Sequence, residues 1–387
     1  MKSYAKRLFR HFDFPLFFTY LVLCLFGLVM VYSSSMVWAV NRYGWEPDYF
    51  FNQQLVSVII AAFAFFFTAF LPYKLYRKKY FMMVSVAIML VLLFLVHFIG
   101  FGGEVGSQSW INLPVGSIQP SELAKIVMII YFAGVLANKY DAGTINSINT
   151  AIAPPVIILG IAVGSVMMET DIGATFIIIA TSVCVMATSG INIKTFGKLS
   201  LFVAIILVFV GIVLFFAWDS VMTGSRMGRF TAYRDPFKYI TGSGLQIVNG
   251  YIAIGAGGLF GLGLGNSVQK MGYLPEPHTD FIMAIVSEEF GVFGTILVIG
   301  GLGFLVVRAF WIALTTKDPH ARMLASGVGA LIGIQTFINL GGVTGLIPLT
   351  GVTLPFISYG GTSIILLSLA LGILMNISMF TRYEKNK

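Results

Sequence analysis

The chain runs to 387 residues, 57% hydrophobic and only 10% charged, where an ordinary soluble domain has about 25% charged residues. That deficit leaves too little polar surface to wet a globule and excludes a soluble protein; one charged residue in ten is also far too few for a disordered chain, and 35 Phe with 42 Gly fit closely packed helices in lipid. The 24 Lys and Arg against 16 Asp and Glu give a net charge of +8, a balance that suggests nucleic acid in a soluble protein, but here the placement of the charge matters more than its sum.

A membrane-crossing helix needs about 20 mostly apolar residues. Charge-free stretches of that length run from Phe14 to Asn41, Tyr49 to Tyr73, Tyr80 to Gly103, Ala142 to Met168, Ile172 to Ile193 and Leu199 to Trp218. Pro120 to Asn138 joins them if Lys125 is tolerated, and Phe281 to Trp311 if Glu288 and Glu289 are. Met323 to Thr381 is uncharged over 59 residues, but the Gly- and Pro-rich GGVTGLIPLTGVTLPFISYGG in its middle breaks it into two spans. The expectation is an all-α polytopic membrane protein with ten transmembrane helices and both termini cytoplasmic. It is a single integral membrane domain over residues 1–387, with a long extracytoplasmic loop (219–280) between helices 7 and 8.

Tyr239 to Gln269 tests the count: it is uncharged over 31 residues but holds nine Gly. With ten spans, 17 of the 24 basic residues fall on the inner side, as the positive-inside bias requires. An eleventh span would move the last six of these outside, so the stretch reads as a re-entrant or surface-lying segment. The first apolar stretch is longer than a signal-peptide core and reads as a retained signal anchor. Cys24 and Cys184 lie inside apolar spans, so no disulfide is expected.

In this topology acids crowd the outer face: Glu104, Glu122, Glu169, Asp171, Asp219, Asp235, Glu276 and Asp280. Plain solvation of outer loops is the ordinary explanation for any one of them. In YLPEPHTDFIMAIVSEEFG, Pro275 and Pro277 stiffen the approach to a helix that Thr279 or Asp280 can cap. Asp280 then sits where water meets lipid, placed for a general base or simply for a cap. Glu288 lies eight residues on, about 12 Å deeper on the same helix, where burial calls for a partner cation, in a structural ion pair, or for a function.

In SWINLPVGSIQPSELAK, Pro120 opens a helix and sets Glu122 and Lys125 on one face at i,i+3. An ammonium one turn below the outer surface suits a lipid pyrophosphate, and a snorkelling Lys paired with Glu122 is the alternative. Arg226 and Arg229 form a second i,i+3 pair, either a phosphate-binding fork or solvated loop residues. Nucleotide-binding glycine signatures are incomplete, and His11, His97, His278 and His320 show no metal-ligand spacing. A divalent cation at the outer carboxylates is left open.

The stretches WINLPVGSIQPSELAK, GLGLGNSVQKMGYLPEPHTDFIMAIVSEEFG and GLIPLTGVTLPFISYGGTS, in that order, strongly resemble the SEDS family of bacterial shape, elongation, division and sporulation proteins. GLGLGNSVQK and TGVTLPFISYGG resemble the FtsW and sporulation branch more than RodA. The resemblance implies a peptidoglycan glycosyltransferase that polymerises lipid II outside the cytoplasmic membrane, beside a class B penicillin-binding protein and other divisome or elongasome membrane proteins. It implies no nucleic acid and no conventional cofactor. It places the catalytic Asp at Asp280 and matches the PSELAK acid and base to Glu122 and Lys125. The family's loop arginine falls on Arg226 or Arg229, although Tyr233-Arg234 departs from the Trp expected near Asp235-Pro236. Lys270, Glu276, His278 and Ser358 complete the implied substrate-binding set. Inversion from an α-phosphate to a β-1,4 link needs one general base, Asp280, and cations for the departing undecaprenyl pyrophosphate. A flippase for lipid-linked sugar and a non-enzymatic scaffold for a transpeptidase are the competing classes; the outer placement of most acids favours surface chemistry over a midplane transport site.

Overall fold

The computed structural model describes residues 9–102, 108–113, 116–198, 228, 232–240, 242 and 244–385. In chain order the helices are α1 (Phe14–Tyr43), α2 (Tyr49–Phe70), α3 (Lys79–Ile99), α4 (Pro120–Asp141), α5 (Ala153–Met168), α6 (Ile172–Ala187), α7 (Leu245–Gly257), α8 (Ile282–Thr315), α9 (Pro319–Val343) and α10 (Gly361–Lys385). Eight of the described helices are long and apolar enough to cross a membrane, counting α5 together with the π turn Ile148–Ile152 that leads into it. Pro at the first turn starts α1, α4 and α9, where its missing N–H has no intrahelical partner to lose. The expected span Leu199 to Trp218 lies outside the described residues, as do Arg226, Arg229, Glu104 and Asp219.

Small and polar residues draw the helices together, since lipid offers no hydrophobic drive for helix association. A side chain at Gly372 of α10 would run into Thr68 and the Phe65 carbonyl of α2. Around that approach Thr68 Oγ1 donates to the Leu369 carbonyl (3.0 Å) and Asn376 Nδ2 to the Ala69 carbonyl (2.6 Å). Gly27 of α1 likewise meets the backbone of Phe356 and Ile357, in the break between α9 and α10.

Loops gather at two ends of the bundle. At the basic end Arg77 pairs with Asp141 (2.5 Å), Tyr73 donates to Asp318 (2.7 Å), and the fully buried Asp13 pairs with Arg308 (2.9 Å) and Arg382 (2.7 Å). At the opposite end the His278 ring lies 4.3 Å from that of Phe50, and Thr362 donates to the Ser117 carbonyl (2.8 Å).

Two features depart from an all-helical expectation. Residues 101–118 contain a three-stranded antiparallel sheet, β1 (Phe101–Gly102), β2 (Gln108–Leu113) and β3 (Gly116–Ile118), in the order β1-β2-β3. Ile111 pairs with Ile118 and Asn112 with Ser117, so the segment before α4 satisfies its backbone without a helix. The second is the glycine-rich stretch. α7 runs beside the start of α8, with Gly250 against the Phe281 ring and Gly257 against the Ser287 carbonyl. The chain then turns, and the Leu262 and Gly263 amides donate to the carbonyls of Glu288 and Glu289, both at 2.9 Å.

α8 is interrupted at this crossing, where Gly291 has φ 60° and ψ −146°. A side chain there would meet the Leu259 carbonyl, and one at Gly261 (φ 76°) would meet that of Glu289. Only glycine combines that backbone with so close an approach. The hairpin thus reaches ten residues along α8 from Phe281, about 15 Å, and its tip residues Leu259, Phe260 and Leu264 are exposed.

Candidate active site

α9 carries two buried amides one turn apart, Gln335 and Asn339, and they hold the two sequence motifs together. Asn339 Nδ2 donates to the main-chain carbonyl of Asp280 (2.8 Å) and to that of Val352 (2.7 Å). Gln335 Oε1 accepts from Lys125 Nζ (3.2 Å) while its Nε2 donates to the Thr353 carbonyl (3.1 Å). Four residues of helix separate the two amides by about 6 Å along the axis. The loop of Asp280 and the start of α4 therefore meet on a single face of α9.

Lys125 is 2% exposed and pairs with Glu122 at 2.8 Å, the i,i+3 geometry its spacing predicts. An ammonium has three N–H donors, of which Glu122 and Gln335 engage two. Asp280 is buried, and its Oδ1 lies 3.2 Å from Thr279 Oγ1 and 3.4 Å from Gln246 Nε2 of α7. The expectation that Thr279 or Asp280 caps the next helix is corrected: Phe281 is the N-cap of α8, and no side chain caps it.

The approach to Asp280 is shaped by its neighbours. Glu276 is half-buried at φ 44°, a conformation costly for a residue with a Cβ, and its carbonyl accepts from Thr279 Oγ1 at 2.9 Å. His278 is buried between Phe50 and Tyr359, and its carbonyl accepts from the Tyr359 amide at 2.9 Å. Burial pushes its imidazole down to about 3, so at neutral pH it carries no charge. Ser358 Oγ accepts from the Leu354 amide at 2.9 Å, closing a local turn. His278 and Ser358 thus buttress the loops.

Lys270 has a different place from the one its motif suggests. It is fully buried, bonded to Glu289 (2.6 Å) and Ser33 (2.9 Å), which removes it from the cations available to a substrate. Glu288 accepts from Ser267 Oγ (2.5 Å) and the Val268 amide (2.9 Å). The two deep acids of α8 therefore anchor the returning arm of the hairpin, the structural alternative that their depth allowed.

A third acidic loop borders the site. Asp171 caps α6 through the Ala174 amide (2.8 Å) and accepts from Gln119 Nε2 (3.3 Å). Glu169, 4% exposed, has no hydrogen-bond partner for either carboxylate oxygen among the described residues. Burial, reinforced by the charge of Asp171, pushes its carboxyl up to about 8. Gln119, Gln246, Gln335 and Asn339 are the members of the site that charge and motif did not reveal. The signal for the last two was present, as polar residues at i,i+4 inside an uncharged span.

The bundle of apolar helices with a braced carboxylate at one end defines a multi-pass membrane protein. The family model for FtsW, RodA and SpoVE, described as "Cell cycle protein", matches residues 14–383, and the chain belongs to that family. The probable peptidoglycan glycosyltransferase FtsW of Bacillus subtilis (strain 168) is 46% identical over 386 residues, 99% of this chain and 94% of that protein. Stage V sporulation protein E of the same organism is 39% identical over 364 residues, 94% of this chain and 96% of that one. A chain solved in work on the structural coordination of polymerization and crosslinking by a peptidoglycan synthase complex superposes with a TM-score of 0.74 at 23% identity, covering 96% of this chain and 98% of that one. That is a likeness of fold.

Proposed function

We propose that the chain is a peptidoglycan glycosyltransferase that polymerises lipid II into β-1,4 glycan strands at the outer face of the cytoplasmic membrane. The observation that carries the reading is the joint bracing of Asp280 and Lys125 by Asn339 and Gln335. A base and a cation held on one rigid helix face are what an inverting transfer to a sugar hydroxyl requires. The names of the curated relatives support the same activity.

Asp280 accepts the proton of the GlcNAc 4-hydroxyl as that oxygen attacks the anomeric carbon of a second lipid-linked sugar. The bond from that carbon to phosphate breaks, and undecaprenyl pyrophosphate departs with inversion. One carboxylate suffices because the leaving group needs no protonation. The remaining N–H of Lys125 faces the charge that develops on the pyrophosphate, with Glu122 and Gln335 fixing its direction. Arg226 and Arg229 are further candidates for that charge. The topology that goes with this chemistry has ten spans, both termini cytoplasmic, residues 219–280 outside and the glycine hairpin re-entrant from the outer face. A class B penicillin-binding transpeptidase is the partner.

The test is polymerisation of labelled lipid II by the chain purified with its cognate transpeptidase, with glycan products resolved on a gel. Asp280→Asn abolishes polymer while complex formation persists. Polymer made by that variant removes the mechanism, and lipid movement without polymer favours a flippase.

A further inference from the structure

α2 presents a stripe of three residues, Phe50, Gln54 and Ser57, to the segment 358–361 that leads into α10. They stand at i, i+4 and i+7, on one face of a helix. Gln54 is 1% exposed and uses both ends of its amide: Nε2 donates to the Ser358 carbonyl (3.3 Å) and Oε1 accepts from the Gly360 amide (3.2 Å). The side chain thereby stands in for a backbone peptide and supplies partners to a segment that is not helical. About one turn to either side, the Phe50 ring lies 5.1 Å from that of Tyr359, and a side chain begun at Gly361 would stand 3.0 Å from Ser57 Oγ.

The segment so held is the one that reaches the carboxylate loop. The Tyr359 amide donates to the His278 carbonyl at 2.9 Å, and the rings of Phe50, His278 and Tyr359 touch one another, with centroids 4.3, 5.1 and 5.5 Å apart. Asn339 holds the Asp280 carbonyl. The tripeptide His278-Thr279-Asp280 is therefore tied at both ends through main-chain carbonyls, at one end to α9 and at the other, by way of residues 358–360, to α2. One tie would leave the loop free to turn about it; two ties fix its direction.

We propose that Gln54, assisted by Phe50, is a positioning residue for Asp280: α2 aims the carboxylate through the segment 358–360, and the bond from Asn339 alone does not. The inference rests on the reading of Asp280 as the base. Holding two helices together is the ordinary role of a polar side chain in a lipid-crossing helix, and Thr68 of α2 fills that role where its hydroxyl donates to the Leu369 carbonyl of α10 at 3.0 Å. Gln54 differs in what its partners do next. They are loop backbone, bonded onward to the residue two places before Asp280. A displacement of about 1 Å at a reacting group costs on the order of 100-fold in rate, so the aim of this loop matters more to turnover than to stability.

The full chain, purified with its transpeptidase, is assayed for kcat and KM on lipid II and for hydrogen exchange at single amides. Gln54→Met lowers kcat by about 10- to 100-fold and leaves KM within about twofold. Thr68→Val, which removes a bond between the same two helices about 21 Å further along α2, keeps kcat within about twofold. Phe50→Leu leaves no buried polar group unpaired and so keeps the fold; it also lowers kcat, and the double variant with Gln54→Met loses less than the product of the two single losses, because both act on one segment. Exchange at the Tyr359 amide accelerates in Gln54→Met and stays as in the parent in Thr68→Val, a readout that needs no turnover. A parent that makes no polymer therefore removes the reaction and leaves the brace to be judged by exchange alone. An unchanged kcat in Gln54→Met, an equal loss in Thr68→Val, a change confined to KM, single losses that multiply, or unaltered exchange at Tyr359 overturns the positioning role.

Discussion

Asn339 grips Asp280 by its main chain: the amide donates to the Asp280 carbonyl at 2.8 Å and leaves the carboxylate outside that bond. The same nitrogen bridges to Val352 at 2.7 Å, so one side chain sets the distance between the Asp280 loop and the segment joining α9 to α10. Asn339→Ala strands two buried carbonyls, each worth about 1–3 kcal/mol, and lets the base drift. Lipid II polymerisation falls by about 10- to 100-fold with the transpeptidase complex intact. Wild-type rates in that variant would show that the bridge does not position Asp280.

For Glu122 and Lys125, structural and chemical roles separate in a mutant cycle. Lys125→Met leaves a buried carboxylate unpaired, at about 3–5 kcal/mol, and lowers the melting temperature in detergent. Adding Glu122→Gln restores the melting temperature without restoring polymerisation. Recovery of both would reduce Lys125 to an ion-pair partner.

The hairpin depends on glycine where it crosses α8. Gly291→Ala places a methyl against the Leu259 carbonyl at a positive φ, which costs about 1–3 kcal/mol. Hydrogen exchange accelerates across residues 259–268, where the Leu262 and Gly263 amides lose their acceptors, while α2 and α10 keep their protection. Uniform exchange over the whole bundle would instead signal global unfolding.

Glu169 makes stability depend on pH. Its carboxyl, ordinarily near 4.5, is held up to about 8 by burial and by Asp171, so the folded chain retains a proton that the unfolded chain releases. Stability therefore falls as pH rises from about 4.5 to about 8 and levels off above that. Glu169→Gln keeps the neutral shape without the ionisation, and its melting temperature between pH 5 and 8 declines less than that of the parent. Parallel curves for the two proteins would refute the assignment.

Eight of the expected spans were legible because crossing a bilayer demands a long uncharged run, whereas the run from Ile172 forms a helix of only 16 residues. The split of Met323 to Thr381 at its Gly- and Pro-rich middle matches α9 and α10, and the Glu122–Lys125 pair formed as its spacing required. Asn339 and Gln335 stayed hidden because an uncharged amide inside an apolar helix looks the same whether it braces a loop or faces a neighbouring helix. Lys270 misled for the opposite reason: its charge marked it for a ligand, while its counterion lies 19 residues along the chain at Glu289. The sheet at residues 101–118 was masked by its own glycines, which read as a loop. Arg226 and Arg229 lie outside the described residues.

Because the backbone of the glycine turn is hydrogen-bonded to the carbonyls of Glu288 and Glu289, the hairpin and the first half of α8 form one tied unit, with Asp280 just before its start and the exposed side chains Leu259, Phe260 and Leu264 at its other end. Between that apolar tip and Asp280 lies hydrogen-bonded backbone, not a slack loop.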